Sequence, residues 1–463
     1  MSQIRTLICL FFFYLRLLVI DVPFRRFVFK PIPRESGERV IGLFHPNAAD
    51  GGGGERVLWT IVQYLQRYRP QFSLVLYADT DCSVETLTSD ASAHFGLSIN
   101  ASALRLVRIT GLDALRPSRY RIFTLLFQLA VGGALARQAL ASGRPDVFLD
   151  THGIPMAYPV AKMAGSRVGT YTHHPFVSSD MIWLVESRVS QFNNSKVISK
   201  SAVLTRVKVF YYKLVTTAYR FCGGAVDVSM ANSQWTRAHV KAAWGLDPTV
   251  VYPLCTIDDL LDMPLEGRVS GQIVSVGQFR QEKNHELIVR AFASAVNGMT
   301  KADLARTSPS LVLVGSVRND GDKAVLDSVN QLITDLKIET MVSIEANAPY
   351  PRVLALLASS QAAVHAMRDE HFGLVVIEAM AAGCLMIAHN SGGPREDIIA
   401  DSGAGLLAET EAEYAAAMRQ VWTDRLDGMR AQGRVRVQTV FTAELFKTGL
   451  LGAVDDMVRV CQR

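Results

Sequence analysis

From residue 39 onward the chain runs one pattern twice: a short apolar, β-rich run, a helical stretch, then another run. The first series is "RVIGLFH", "FSLVLYA", "LRLVRI", "DVFLDTHG", "RVGTYTHH" and "GAVDVSMANS". The second is "GQIVSVG", "SLVLVG", "MVSIEA", "AAVHAM" and "CLMIAH". Several of these runs lack the polar/apolar alternation of a strand with one wet face. Parallel strands covered by helices on both sides read this way. The pattern predicts an α/β protein of two Rossmann-like, doubly wound domains, with ligands at the carboxyl ends of the strands and in the cleft between the domains. A length of 463 residues, too great for one core, agrees.

The break at "VYPLCTIDDLLDMPLEGRVSG" has the prolines and acidic residues of a linker. The expected division is 38–255 for the first domain, 256–440 for the second and 441–463 for a helical segment packing back on the first. Residues 1–37 form an N-terminal extension. Its run "LICLFFFYLRLLVI", residues 7–20, is broken only by Arg16 and followed by the basic flank "RRFVFKPIPR". That is shorter than the roughly 20 residues of a straight membrane span. It predicts an uncleaved span or interfacial anchor with the rest of the chain on the cytosolic side, the two sequons at Asn100 and Asn193 unused. A second apolar stretch, residues 120–140, is expected as a buried or membrane-apposed helix.

The net charge of +5 is mild, and no Lys/Arg block dense enough for nucleic acid occurs. Six scattered cysteines, without a CxxC, point to a reducing compartment and to neither a disulfide framework nor a zinc site.

Four loops could carry chemistry. "HPNAADGGGGERVLW" takes a strand into Gly51, Gly52, Gly53 and Gly54 and then into a helix expected to open with Glu55. Glycine lets backbone N–H groups approach an oxyanion, and a helix N-terminus adds partial positive charge. "SVGQFRQEKNH" displays Arg280 and Lys283 beyond a strand end, two cations placed to neutralise a diphosphate. "RDEHFGLVVIEAMAAG" sets Glu370 in a loop beside the amides of Phe372, Gly373 and Leu374. Glu378 lies two turns into the following helix. "TYTHHPF" puts His173 and His174 after a strand of the first domain. Asp79-Thr-Asp81 has the form of a metal-binding DxD, but acidic turns after strands are commonplace. Each loop also has a bland reading: solvated turn, helix cap or buried ion pair.

Together these loops resemble the retaining glycosyltransferases of family 4, which have the GT-B double-Rossmann fold. "EHFGLVVIE" is similar to their E-x7-E motif and "GQFRQEKNH" to their donor loop. "HPNAADGGGGERVLW" and "AHNSGGPREDII" resemble the branch that moves mannose from GDP-mannose to a dolichol-linked oligosaccharide at the cytosolic face of the endoplasmic reticulum. The resemblance implies that Arg280 and Lys283 hold the diphosphate, Glu370 contacts the mannose and Glu378 the ribose. It implies Phe372, Gly373, Leu374, Gly52 and Gly53 as further donor contacts, and Gly51, Gly54 and Glu55 in an acceptor or phosphate loop. The resemblance also implies that His173 stands near the transferred sugar, which makes Glu370 and His173 the candidate catalytic residues. No metal or other cofactor is expected. The implied partners are GDP-mannose, the dolichol-linked oligosaccharide and the bilayer, with other glycosyltransferases of the pathway as further candidates. After His173 a Tyr-Pro-Thr-like run is expected where "HPFVSSDM" stands, so the roles of His173 and His174 are not divided. A transferase for another nucleotide sugar or acceptor, a nucleotide-sugar epimerase and a catalytically silent membrane partner are the alternatives.

Overall fold

The computed structural model describes residues 25–177, except 36 and 121, and 202–459, except 256, 400, 401, 424 and 425. The apolar run 7–20 and the sequon at Asn193 lie outside them.

The chain forms two compact units, 1–232 with 236–251 and 447–463, and 233–235 with 252–446. The first is built on seven strands, β1 (Arg39–Phe44), β2 (Phe72–Ala78), β3 (Leu104–Arg108), β4 (Val147–Asp150), β5 (Arg167–Thr172), β6 (Val228–Ala231) and β7 (Thr249–Val250). They lie in the order β3-β2-β1-β4-β5-β6-β7, all parallel. The second holds β8 (Val269–Val276), β9 (Ser310–Gly315), β10 (Val342–Ala346), β11 (Ser360–His365), β12 (Leu385–His389) and β13 (Leu406–Ala408). Their order is β10-β9-β8-β11-β12-β13, again parallel. The sequence pattern had shown every strand but β7 and β13, whose two and three residues are too short to carry a period.

Both sheets explain the missing alternation. In β9, Leu311 and Leu313 enter one apolar cluster, while Val312 and Val314 enter another on the opposite face. Each successive side chain of such a strand meets a helix layer, so none can be polar without a buried partner. The stretch read as a linker is built into the second unit: Cys255, Ile257 and Leu260 are sunk in its core, and Asp258–Leu261 is a short helix. Asp258 and Asp259 form the first turn of that helix, and the apolar residues of the stretch are seated.

The helix Thr124–Ser142 is long and apolar enough to cross a membrane, and it buries Phe127, Leu129, Leu135 and Leu140 in the first unit. The helix Ala443–Arg459 ends the described chain. From Lys447 it belongs to the first unit, where Asp455 takes both Arg69 Nε and Nη2, at 2.9 and 2.6 Å.

In each sheet the order reverses between a strand and its neighbour on the other side, at β1/β4 and at β8/β11. Crossover helices leave in opposite directions there, which opens a crevice at the carboxyl ends. The candidate residues collect at these two places.

Candidate active site

In the second unit Lys283 follows β8 and Glu370 follows β11, so the chain brings to one switch point two residues 87 positions apart. Lys283 Nζ donates to Glu370 Oε2 at 2.6 Å, and His365 Nε2, at the end of β11, stands 3.1 Å from the same oxygen. Burial pushes the Glu370 carboxyl up, but the His365 hydrogen bond and the Lys283 charge more than offset it and hold it well below the usual carboxylate range. Glu370 is therefore an anion at neutral pH, and Lys283 is its counter-ion.

Arg280 is half exposed and loosely placed, 3.8 Å from Glu282 and 3.9 Å from Asp322. Its loop is nevertheless anchored. Gln278 Nε2 and the Arg318 amide both donate to Asp322 Oδ2, at 2.8 and 3.0 Å. The buried His285 ring meets the Gln278 carbonyl at 3.1 Å. An anchored loop that leaves the guanidinium half exposed suits capture of an anion.

The Glu370 loop is clamped by the glycine loop 390–394. Gly393 N donates to Glu370 O at 2.7 Å and Asp369 N to Ser391 Oγ at 2.7 Å. Gly392 sits at φ +64°, and a Cβ there would come within 2.3 Å of Glu370 O. Asp369 holds a left-handed φ of 54°, costly for a residue with a Cβ and a mark of a constrained loop. Gly373, at φ 108°, caps the helix Leu374–Ala381. The first amides of that helix have no intrahelical acceptor and point toward the loop. Phe372 itself stacks on Tyr252 in the core, ring centroids 5.6 Å apart, so its backbone alone can meet a ligand. Glu378 is half-buried on the same helix.

In the first unit the glycine loop differs from expectation. The helix begins at Gly53, two residues before Glu55. Glu55 turns back: its Oε2 accepts from Gly52 N at 2.9 Å, while Oε1 meets His45 Nε2 at 3.1 Å and Asn47 Nδ2 at 3.0 Å. Burial raises the Glu55 carboxyl, but its hydrogen bond to His45 leads a set of contacts that bring it down to about 2. Glu55 is thus a buried cap that shapes the loop and no open face of it. A Cβ at Gly52 would lie 2.6 Å from that carboxylate, which would have to shift.

His45 Nδ1 continues to Thr151 Oγ1 at 2.9 Å, and His173 Nε2 meets Thr151 O at 3.1 Å. The positions after β1, β4 and β5 are so joined at the first switch point. Gly54 lies beside His173: a Cβ built there would be 3.8 Å from Nε2. Burial and the neighbouring His45 depress His173 to about 3, and burial does the same to His152. Both are neutral imidazoles at physiological pH. Asp150, fully buried, accepts from the amides of His152, Gly153 and Ile154 and from Tyr158 Oη, which fixes the turn after β4.

His45, Thr151, His152 and His365 were not singled out from sequence. Their signal was position: each is the last residue of a strand or one of the first two beyond it, where Rossmann domains place ligands. Asp79 of the DxD-like triplet accepts from Leu112 N at 2.7 Å. Among the described residues no group of three or more His, Cys, Asp or Glu is gathered at metal-holding distance.

Comparison with known proteins places this geometry. Residues 38–244 match the family "ALG11 mannosyltransferase N-terminus" and residues 269–435 match "Glycosyl transferases group 1". The GDP-Man:Man(3)GlcNAc(2)-PP-Dol alpha-1,2-mannosyltransferase of Mus musculus is 36% identical over 435 residues, 91% of this chain and 87% of that one. Its Caenorhabditis elegans counterpart is 32% identical over 420 residues, 88% of each chain. The chain belongs to this mannosyltransferase family. Solved structures share the fold of family members at far lower identity. Sucrose-phosphate synthase from Thermosynechococcus elongatus superposes with a TM-score of 0.63 at 15% identity, covering 91% of this chain and all of that one. Anabaena HepE in complex with UDP and glucose gives 0.58 at 14%, covering 90% and 100%. The two parallel-sheet units are those of the GT-B class.

Proposed function

We propose that this chain transfers mannose from GDP-mannose to dolichol-diphosphate-linked Man3GlcNAc2, forming α-1,2 links at the fourth and fifth mannoses, with retention at the anomeric carbon. The observation that carries the reading is the Lys283–Glu370 contact at the switch point of the second unit, in a chain that belongs to this mannosyltransferase family.

GDP-mannose is assigned to the second unit. Its diphosphate takes Arg280, Lys283 and the amides of Gly373 and Leu374, and Lys283 leaves Glu370 as it does so. Glu370 stays anionic, still held by His365, and faces the mannose as positive charge grows at C1. Glu378 accepts from the ribose. In the reaction the C1–O bond to the diphosphate breaks. The acceptor's 2-hydroxyl oxygen bonds C1 on the same face, and its proton passes to the departing phosphate oxygen, giving GDP. Arg280, Lys283 and the helix amides supply the charge that the leaving diphosphate needs, so the reading includes no metal. The acceptor is assigned to the first unit, where neutral His173 and the loop positions Gly51 and Gly54 offer one hydrogen-bonding ring nitrogen and backbone amides to sugar hydroxyls. The acceptor's lipid places the enzyme at a membrane, assigned here as the cytosolic face of the endoplasmic reticulum.

The test is transfer by detergent-solubilised protein from GDP-mannose to lipid-linked Man3GlcNAc2 in EDTA. Products would be sized by mass and digested with an α-1,2-specific mannosidase, with Glu370→Ala in parallel. One or two digestible mannoses, lost in the variant, support the reading. Donor binding without transfer would reassign the acceptor, and neither binding nor transfer would overturn the reading.

A further inference from the structure

The helix Ala202–Gly223 has more apolar surface than the first unit uses. Tyr212, Val215, Tyr219 and Cys222 are buried. Facing away from them are Val207, Phe210, Leu214 and Phe221, which are 55, 70, 47 and 66% exposed. At roughly 100° per residue these four fall in an arc about 60° wide. Arg206, Lys213 and Arg220, all exposed and seven residues apart, form a row along one side of that arc. Along its other side stands Phe123, whose ring centroid is 5.5 Å from that of Tyr211. Tyr211 Oη accepts from Leu125 N at 2.9 Å and so fixes the turn to the helix. Ile122 and Phe123 in this turn are 59 and 48% exposed, and Phe123 holds a left-handed φ of 58°. A strained backbone that presents a phenylalanine to solvent needs a compensating use.

We propose that this face is a bilayer-docking surface: the helix lies in the plane of an anionic phospholipid leaflet. Phe210, Leu214, Phe221 and Phe123 enter the acyl boundary, and Arg206, Lys213 and Arg220 meet lipid phosphates. A single amphipathic helix with a basic edge binds such interfaces by apolar burial plus charge. A soluble protein partner would have no need of a cationic row at this even spacing. The function reading enters only in supplying a membrane-borne acceptor; the surface stands on its own residues. Docking here would hold the first unit on the leaflet that carries the acceptor's lipid.

The experiment uses the full chain, reconstituted into phosphatidylcholine vesicles with and without phosphatidylserine, and carrying an environment-sensitive fluorescent amino acid at position 210 or 214. The same label at Val435, exposed in the second unit, is the control. Docking predicts blue-shifted emission at 210 and 214, quenched by lipids spin-labelled near the headgroup, with no change at 435. Arg206→Glu/Lys213→Glu/Arg220→Glu should lower the quenching severalfold, and high salt should do the same. Water-exposed emission at both positions in anionic vesicles would overturn the proposal, and so would burial of the label only after a protein extract is added. Equal quenching with and without phosphatidylserine would overturn the role of the basic row. None of these readouts depends on transfer, so a different donor or acceptor would leave the result interpretable.

Discussion

Lys283 and Glu370 form an ion pair, 2.6 Å apart, that the proposed transfer would separate. Glu370→Gln keeps the shape and removes the charge, and is expected to lower kcat by about 10²- to 10³-fold, the usual cost of losing a group aimed at developing charge. A kcat near that of the parent would remove Glu370 from the chemistry. Lys283→Met leaves Glu370 with His365 alone, so it should both weaken GDP-mannose binding and destabilise the fold. The two residues are each other's partner, and the effects of the two substitutions on urea unfolding should fall short of additive by about 0.5–3 kcal/mol. Gly392→Ala should cost about 1–2 kcal/mol for its left-handed backbone, more for the 2.3 Å approach to Glu370 O, and most of the activity. Gly96, at φ +68° with nothing within 4 Å of its Cβ, is the control: alanine there should cost the backbone strain and spare transfer.

Among the elements, the glycine loop shows where sequence reading stops. A strand, four glycines and a helix are visible in "HPNAADGGGGERVLW", and the structure has all three. The direction of Glu55 is not visible. Its carboxylate could as well have faced a ligand, and it turns inward because three donors, from Gly52, His45 and Asn47, converge behind it. Two of those donors depend on how the turn after β1 folds, which no local spacing encodes. Glu55→Ala should remove a helix cap worth about 1 kcal/mol and leave buried donors unpaired at about 1–3 kcal/mol. Glu55→Gln keeps an acceptor and should lose much less, which urea titration of both variants would separate. The strands were legible because burial on both faces demands uniform apolarity. The linker stretch holds the crossing between the units, at 251/252, and the rest of it is seated in the second unit, because the turns that prolines mark occur inside domains as well as between them.

Across the molecule, the C-terminal helix is held in the first unit mainly by apolar seating. Leu450 is fully buried, and Leu450→Ala should cost about 2–5 kcal/mol. Arg69→Ala breaks a pair whose side chains are 26 and 27% exposed and should cost about 1 kcal/mol or less. Thermal unfolding of the two variants checks the order. Acid should destabilise the protein in two stages. His152 and His173 fall from 6.5 to about 3 on folding. Their contribution is present above pH 6.5 and is lost as pH falls toward 3, because unfolding then takes up protons. Glu55, lowered from 4.5 to about 2, contributes above pH 4.5 and loses that below it. His152→Gln/His173→Gln should flatten the first stage of the Tm-against-pH curve and leave the second.

The class of fold and the two parallel-sheet units could be read from the chain alone, as could the loops proposed to carry chemistry. Burial periodicity, glycine and charged residues at strand ends are local properties, written within a few residues of each other. Which of those residues meet is set by the three-dimensional fold. Lys283 with Glu370, and His45 with Thr151 and Glu55, are joined by strand order, because the switch points lie between strands far apart in the chain. The exposed stripe on the helix Ala202–Gly223 was decided the same way: its apolar residues look like core until the packing shows which face the core takes.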